Sequence, residues 1–354
     1  MDIKTYLARY RQAADVFLDK FFQQEKRKAA KVSPLCAEAV GIYEKFAKGG
    51  KMLRGALVCL GYKSAGGKNR SAIIAPSVAV QIIHSFLLIH DDWIDNDLMR
   101  YGRPTVHKQY EQIHRERFKK SDPKRWSGGM AFVLGDIGCW LGHRLISESD
   151  FPAKRKMTAI SLLSDHLIKT GFGEFLDITY DLVPGFAWNE VIKIRKLKTA
   201  YYTLIMPLVV GISLASASQE KIKAAEKYGF PVGIAFQLRD DFLGLFGDEK
   251  ITGKSASSDL REGKKTLIVA KALEVLNGNE KKILEKALGD KNLTEEGIEK
   301  VRIIIRNSGA VDYCQKLACD LVIKGKRAIP ELTSDSNLSE IYSSLADYMI
   351  NREK

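Results

Sequence analysis

The sequence has few cysteines and lacks the short motifs that mark several common enzyme classes. Its five cysteines are widely separated and include no Cys-x-x-Cys pair, which argues against a disulfide framework and against a zinc site. GxGxxG, HExxH and GxSxG elements are absent, so dinucleotide, zincin and hydrolase chemistry have no support. Segment 247–255 is similar to a P-loop but has five residues between its glycines, where four are required. The cysteine usage fits a reducing cytoplasm, and the charged N-terminus predicts no signal peptide.

Uncharged stretches long enough to cross a membrane occur at 71–90 and 199–219. Each contains a proline and several polar side chains, and the first runs directly into a group of aspartates. A helix that is apolar all round can also be buried in a large helical core. We therefore predict core helices here and no transmembrane segment.

The composition is that of a soluble globular protein with an excess of positive charge. Apolar residues make up 45% and charged residues 28% of the 354 residues, and Lys plus Arg exceed Asp plus Glu by 56 − 43 = 13. This excess favours anionic partners, which include nucleic acids, membrane headgroups and phosphorylated small molecules. The basic stretch 108–129 is interpreted as a charged surface insertion, because no zinc motif or helix-turn-helix signal supports nucleic-acid binding.

Hydrophobic residues recur mainly at helical spacing, and strict alternation is scarce. This pattern predicts an all-α fold, with helices that include 6–30, 280–288 and 297–307. Thr294, which precedes two glutamates, is a predicted N-cap, and Gly309 follows an apolar stretch as a helix end would. The length allows one or two domains, and the lack of an evident linker favours a single domain over 1–354.

Two aspartate clusters follow apolar helical patterns. Asp91 and Asp95 lie one helical turn apart on one face, with Asp92 beside them. Such like charges repel and require a cation, and hard carboxylate oxygens suit magnesium, which commonly binds one or two carboxylates together with substrate phosphates. The second cluster is Asp240 and Asp241. If the two helices face each other, the clusters could hold several divalent ions and a diphosphate.

Basic residues near these clusters are candidates for binding the diphosphate. Lys51 and Arg54 follow the pair Gly49-Gly50 with a spacing of three, near a predicted helix start. The other candidates are Arg100, Arg103, Lys198, Lys254 and Lys264. Each lysine taken alone fits a solvated surface equally well.

Together these motifs resemble the trans-prenyl diphosphate synthases, in particular the geranylgeranyl and farnesyl diphosphate synthases, over roughly 49–273. GGKMLRG is similar to the GGKxxR element of that family. LIHDDWIDND with GRPTVH is similar to its first aspartate-rich region, and FQLRDDFLGLFGD with TGKSASSDLREGKKT to its second. LGD, GEFLD and KTAYYT also occur in the order found in the family.

The resemblance implies an isoprenoid synthase fold, which is an antiparallel helix bundle around a deep central cavity, usually in a homodimer. It implies Mg²⁺-dependent condensation of isopentenyl diphosphate with allylic diphosphates, with Asp91, Asp95, Asp240 and Lys198 as catalytic residues. The implied metal ligands are Asp91, Asp95 and Asp240, with Asp92 and Asp241 in support. The implied ligands of the allylic diphosphate are Arg100, Lys198, Thr199, Gln237, Lys254 and Lys264, and those of isopentenyl diphosphate are Lys51, Arg54 and His84.

The sequence departs from the family pattern at two positions. Tyr101 stands where a second arginine usually helps to bind isopentenyl diphosphate, and Gly244 stands in place of a third aspartate. By resemblance, the bulky Phe86 and the smaller Leu87 set chain length, which suggests a twenty-carbon product. Helix counting places Phe86 about 140° from Asp91, so this role depends on the resemblance and not on geometry. A farnesyl or geranylfarnesyl diphosphate synthase, a terpene cyclase and a noncatalytic partner subunit remain alternatives.

Overall fold

The computed structural model describes residues 1–118, 120–183, 187–216, 218–247 and 258–352. Within these ranges nearly all regular structure is helical, and the strands form one antiparallel pair of two residues each. The predicted all-α fold is confirmed. The chain divides into two compact units, one made of Ile3–Leu162 with Pro207–Ala217 and the other of Leu163–Met206 with Ser218–Lys354. The single domain over 1–354 stays a prediction.

The first unit contains the elements from α1 to α6. Their bounds are α1 Ile3–Ala30, α2 Pro34–Ala47, α3 Leu53–Ser64, α4 Ile74–Ile94, β1 Met99–Arg100, β2 Arg103–Pro104, α5 Val106–Arg117 and α6 Pro123–Ser147. Helix α7, Ala153–Leu182, begins in this unit and ends in the second, and α9, Met206–Leu214, belongs to the first except for its initial residue.

The second unit contains the remaining elements. Their bounds are α8 Trp188–Arg195, a π-helix Lys196–Ile205, α10 Gln219–Phe246, α11 Ser258–Glu262, α12 Leu267–Val275, α13 Gly278–Ala287, α14 Glu295–Asn307, α15 Ala310–Lys326, α16 Ile329–Leu332 and α17 Ser336–Asn351. The N-cap prediction at Thr294 is confirmed, since its hydroxyl accepts a hydrogen bond from the backbone N–H of Gly297 at 3.2 Å.

Helix α4 is apolar on nearly every side and is largely buried among its neighbours. The first aspartate pair, Asp91 and Asp92, lies near its C-terminal end. Along α6, a Cβ atom on Gly142 would stand 2.5 Å from Ile83 Cγ1, and one on Gly135 would stand 2.5 Å from His90 Nε2. These glycines therefore allow α6 to approach α4 closely. This close packing fixes the orientation of α4 and therefore the positions of Asp91 and Asp92.

Among the described residues, two helical stretches are long and apolar enough to cross a membrane, Ile74–Ile94 and Trp188–Leu214. Most of the apolar part of each is buried within the protein, 61% and 83% respectively, as expected of core helices. The basic stretch 108–129 is more helical than the sequence indicates. Helix α5 extends to Arg117 and α6 begins at Pro123, which leaves only 118–122 between them.

Candidate active site

The first aspartate pair lies at the end of α4 and contains one accessible and one buried carboxylate. Asp91 retains 26% of its side-chain exposure, whereas Asp92 is completely buried. Asp95 caps the C-terminal end of the helix, and its backbone N–H donates to the carbonyl of Asp91 at 2.8 Å. Asp91 and Asp95, on one face of the helix, are thus partly exposed at the end of α4, whereas Asp92 is buried.

Arg100 neutralises the buried carboxylate. Its Nε donates to Asp92 Oδ1 at 2.7 Å, and its Nη2 contacts the same oxygen and Asp97 Oδ2, the latter at 2.9 Å. Burial raises the pKa of Asp92 to about 6, and the Arg100 guanidinium opposes this rise. The same Arg100 nitrogen lies 4.0 Å from Asp91 Oδ2. Arg100 therefore supports the aspartate cluster directly, a role that sequence spacing does not reveal.

Arg54 and His84 are brought together from α3 and α4. Arg54 Nη1 lies 3.0 Å from His84 Nε2. Since a guanidinium can only donate, His84 Nε2 accepts and the ring proton resides on Nδ1. Burial, together with Arg54 and Arg100, holds the pKa of His84 well below its usual range. A neutral His84 thus orients Arg54, while Lys51, just before α3, is exposed.

The glycine pair before Lys51 accommodates the ring of Tyr101. A Cβ on Gly49 would lie 2.2 Å from Tyr101 Cδ2, and one on Gly50, which has φ of +67°, would lie 2.8 Å from the Tyr101 hydroxyl. Tyr101 itself has φ of +54° in the turn between β1 and β2. The residue that replaces the usual arginine is therefore packed against the GGK element.

The second aspartate pair, on α10, repeats the arrangement of the first. Asp240 retains 38% of its side-chain exposure, whereas Asp241 is buried. Asp241 Oδ1 accepts from Gln237 Nε2 at 2.7 Å, and Oδ2 accepts from the backbone N–H of Leu267 at 2.6 Å. Burial raises the pKa of Asp241 to about 6, while Arg195 and these hydrogen bonds lower it. Asp241 thus ties α10 to the start of α12.

Lys198 and Thr199 lie in the π-helix, a rare conformation that is frequent at functional sites. Thr199 Oγ1 donates to Gln237 Oε1 at 2.7 Å, which links the π-helix to Asp241 through Gln237. A Cβ on Gly173 of α7 would stand 2.5 Å from the backbone nitrogen of Lys198. Close backbone packing therefore fixes the position of Lys198.

Two acidic residues on α7, Glu174 and Asp177, form ion pairs with cationic side chains of the second unit. Lys198 Nζ lies 2.7 Å from Glu174 Oε2 and 2.9 Å from Asp177 Oδ2. Buried Arg195 also contacts Asp177, with Nη1 at 3.1 Å. Burial acts to raise the pKa of Asp177, but Arg195 and Lys198, with Lys264 nearby, hold it well below its usual range. The segment GEFLD follows the family pattern, but the sequence alone predicts no role for Glu174 or Asp177.

Two further residues escaped sequence analysis because they come from distant parts of the chain. Asp259 Oδ2 lies only 2.3 Å from where a Cβ on Gly244 would stand, so a carboxylate already occupies the space of the missing third aspartate. Arg352, just after α17, pairs with Asp240 and lies over the Phe236 ring at 4.1 Å from its centroid. Asp259 lies within the segment TGKSASSDLREGKKT, but that motif does not indicate this contact, and Arg352 lies in no motif.

The carboxylates present suit magnesium. In the part of the chain that the structure describes, no three Asp, Glu, His or Cys residues converge as a complete metal site. Asp91, Asp95 and Asp240 are the accessible carboxylates, and carboxylate oxygens are the hard donors that magnesium prefers.

The remaining predicted residues are the proposed chain-length residues, Phe86 and Leu87, and the lysines at positions 254 and 264. Phe86 is half-buried and its ring meets that of His90 edge-on, with centroids 4.9 Å apart. Leu87 is also half-buried. Lys264 lies 3.4 Å from Glu262. Lys254 falls outside the described residues.

The chain matches the family model "Polyprenyl synthetase" over residues 37–305. It is 34% identical to the geranylgeranyl diphosphate synthase of Saccharolobus solfataricus, over 87% of this chain and 88% of that protein. It is 31% identical to the enzyme of the same name from Sulfolobus acidocaldarius, over 88% of this chain and 90% of that protein.

A crystal structure of geranylgeranyl pyrophosphate synthase from Corynebacterium glutamicum, complexed with isoprenyl diphosphate and magnesium, is also similar. It has a TM-score of 0.92 and 27% identity, and covers 99% of this chain and 100% of that chain. The family match and these relatives agree with the motifs around both aspartate pairs. The chain therefore belongs to the polyprenyl synthetase family and is a trans-prenyltransferase.

Proposed function

We propose that this protein is a geranylgeranyl diphosphate synthase that joins isopentenyl diphosphate to allylic diphosphates with the aid of Mg²⁺. The observation that carries the proposal is the shared design of the two aspartate pairs. In each pair the first carboxylate is accessible and the second is buried and hydrogen-bonded. Accessible carboxylates of this kind, beside cationic side chains, suit a diphosphate substrate bound with divalent ions.

In this proposal Asp91, Asp95 and Asp240 hold the metal ions, and Asp92 and Asp241 keep them in position. Magnesium, when bound, supplies positive charge that stabilises the departing diphosphate. Arg100, Lys198 and Lys264 add further positive charge, which is electrostatic stabilisation of the leaving group. Thr199 and Gln237 orient the same group by hydrogen bonds.

Lys51, Arg54 and His84 are the proposed ligands of isopentenyl diphosphate. His84 holds Arg54 in position by accepting a hydrogen bond from one of its N–H groups. The other guanidinium N–H groups of Arg54 can then donate to the diphosphate. The allylic carbon–oxygen bond breaks, the double bond of isopentenyl diphosphate forms the new carbon–carbon bond, and a proton leaves. We assign that proton to the released diphosphate, since no side chain here is an evident base.

The decisive experiment supplies purified protein with magnesium, labelled isopentenyl diphosphate and each of the five-, ten- and fifteen-carbon allylic primers. We expect a twenty-carbon diphosphate that is lost in Asp91→Asn and Asp240→Asn. Asp320→Asn is the matched control, because Asp320 is exposed on α15. A product of fifteen or twenty-five carbons would change the assigned chain length, and no elongation with any primer would refute the synthase.

Chain length is assigned to Phe86 and Leu87. Phe86→Ala should lengthen the product by at least one five-carbon unit, because it removes a bulky side chain from α4. Leu88→Ala, at the next position but one and also half-buried, is the control. Unchanged products in Phe86→Ala would refute this assignment.

We also propose that the enzyme is a cytoplasmic homodimer. On α6, Val133, Ile137 and Trp140 form an apolar stripe at helical spacing, and Trp140 is 70% exposed. Such a stripe is typical of a face covered by another copy. Trp140→Glu should convert a dimer to a monomer in size-exclusion chromatography with light scattering, whereas Val16→Glu, at another exposed apolar position, should not.

A further inference from the structure

A basic cavity of about 850 Å³ lies beside the GGK element, wholly within the first unit. Its cationic lining comes from three places in the chain: Arg11 of α1, Lys45 and Lys48 at the end of α2, and Arg100 and Arg103 of the hairpin formed by β1 and β2. Phe46 and Tyr101 provide an aromatic wall. Arg11, Lys45 and Lys48 are not among the residues named above for either diphosphate, and Arg103, a candidate by its place in the sequence, was assigned to neither substrate.

The cations of this cavity differ in how well their charge is balanced. Arg11 is paired with Asp15 at 2.7 Å. Lys48 is paired with Glu44 at 2.6 Å and also with Asp19. Within the described residues, Lys45 and Arg103 form no ion pair, so the cavity retains positive charge that a bound anion can neutralise.

The hairpin fixes where Arg103 points. Arg100 and Arg103 are directly opposite each other in the antiparallel pair, and residues so placed have their side chains on the same face. The hairpin is held at its base by Thr105, whose Oγ1 donates to the carbonyl of Asp97 at 2.8 Å. Arg103 therefore lies on a tethered support beside Arg100 and not on a free loop.

Tyr101 connects this cavity with the residues assigned to isopentenyl diphosphate. Its ring packs against Gly49 and Gly50 and lines the cavity. Burial raises the pKa of the Tyr101 hydroxyl, while Arg100 and Arg54 act to lower it. The cavity thus adjoins Gly49 and Gly50 of the GGK element at the position where the family usually has an arginine.

We propose that Arg103, assisted by Lys45, supplies the positive charge that Tyr101 lacks and binds the diphosphate of isopentenyl diphosphate. The inference rests on the proposed function, since it adds residues to that substrate's site. Arg103 can donate two parallel hydrogen bonds to a phosphate, as an arginine at position 101 could. Tyr101 contributes its hydroxyl and aromatic wall. Specificity for the second substrate has therefore moved two residues along the hairpin.

The test measures equilibrium binding of labelled isopentenyl diphosphate without primer, together with KM for each substrate. Arg103→Gln should weaken binding and raise KM for isopentenyl diphosphate about tenfold, the usual effect of losing a charge-assisted hydrogen bond. KM for the allylic primer should stay within about twofold. Lys45→Gln should act in the same direction but less strongly. Arg9→Gln and Lys31→Gln, which remove exposed cations outside the cavity, should leave binding unchanged.

A second arm restores charge at position 101. In the Arg103→Gln background, Tyr101→Arg should recover most of the lost affinity, which a general loss of stability would not allow. Inorganic pyrophosphate should compete in wild type and lose affinity in Arg103→Gln, because it carries the same head group. Binding of isopentenyl diphosphate that is unchanged in the Arg103→Gln/Lys45→Gln double variant would overturn the inference. An equal loss for the allylic primer would also overturn it, because it would indicate only a nonspecific charge effect.

Direct binding keeps this test separate from that of the proposed function. Absence of elongation with every primer would refute the synthase while binding could still be compared among the variants. Normal elongation with unaltered binding in the double variant would refute only the role of Arg103 and Lys45.

Discussion

Replacing Arg100 with methionine should destabilise the protein because it leaves a buried carboxylate without its counter-charge. Asp92 is completely buried and Arg100 retains 17% of its side-chain exposure, and two guanidinium nitrogens contact one Asp92 oxygen. Breaking a buried pair from one side typically costs about 3–5 kcal/mol. Because Arg100 is slightly exposed, we expect a loss of about 3 kcal/mol in the free energy of unfolding, with methionine filling most of the volume.

The measurement is urea denaturation at pH 7.5 in the presence of a chelator, so that metal binding does not contribute. Arg103→Met is the matched control, since Arg103 lies in the same hairpin but is exposed, and its cost should be below about 0.5 kcal/mol. The double variant Arg100→Met/Asp92→Asn should regain about 2 kcal/mol relative to Arg100→Met, because the amide removes the unpaired charge. Equal stabilities of Arg100→Met and Arg103→Met would refute the reasoning.

The penalty should also depend on pH. Burial already raises the pKa of Asp92 to about 6, above its value in the unfolded chain, and loss of Arg100 raises it further. An acid whose pKa is raised on folding opposes folding increasingly as pH rises from its unfolded-state pKa to its folded-state pKa, so raising the folded-state pKa further extends this range upwards. The deficit of Arg100→Met should therefore be larger at pH 7.5 than at pH 5. A deficit that grew on acidification would contradict this assignment.

Three further predictions follow from local geometry. Gly49→Ala should lower Tm, since its Cβ would stand 2.2 Å from the Tyr101 ring, and overpacking costs about 1–3 kcal/mol; Tyr101→Ala should restore Tm in the double variant. Gly244→Asp should weaken magnesium-induced thermal stabilisation instead of adding a ligand, because Asp259 Oδ2 is 2.3 Å from the new Cβ; the same stabilisation as wild type or more would contradict this. Burial lowers the pKa of His107 to about 4, so its contribution to stability is full above the unfolded pKa of about 6.5 and is lost as pH falls towards 4. His107→Asn should lessen the fall in Tm between pH 7 and pH 5, by an amount equivalent to about 2 kcal/mol at most, and an unchanged fall would exclude His107 as its source.

The sequence alone determined the fold class and the local placement of the motifs. Helical periodicity depends only on side chains three and four positions apart, so it identified the helices and the N-cap at Thr294. The same periodicity placed Asp91 and Asp95 on one face of α4. The sequence motifs also identified the family, because GGKMLRG and both aspartate regions are contiguous segments.

Only the tertiary structure decided which member of each aspartate pair is accessible and what neutralises the other. Arg100 reaches Asp92 through a hairpin, and Asp241 binds the backbone of Leu267. Asp259 and Arg352 approach Gly244 and Asp240 from far along the chain. Burial and ion pairing depend on packing between segments distant in sequence, and no local pattern of residue types encodes those distances.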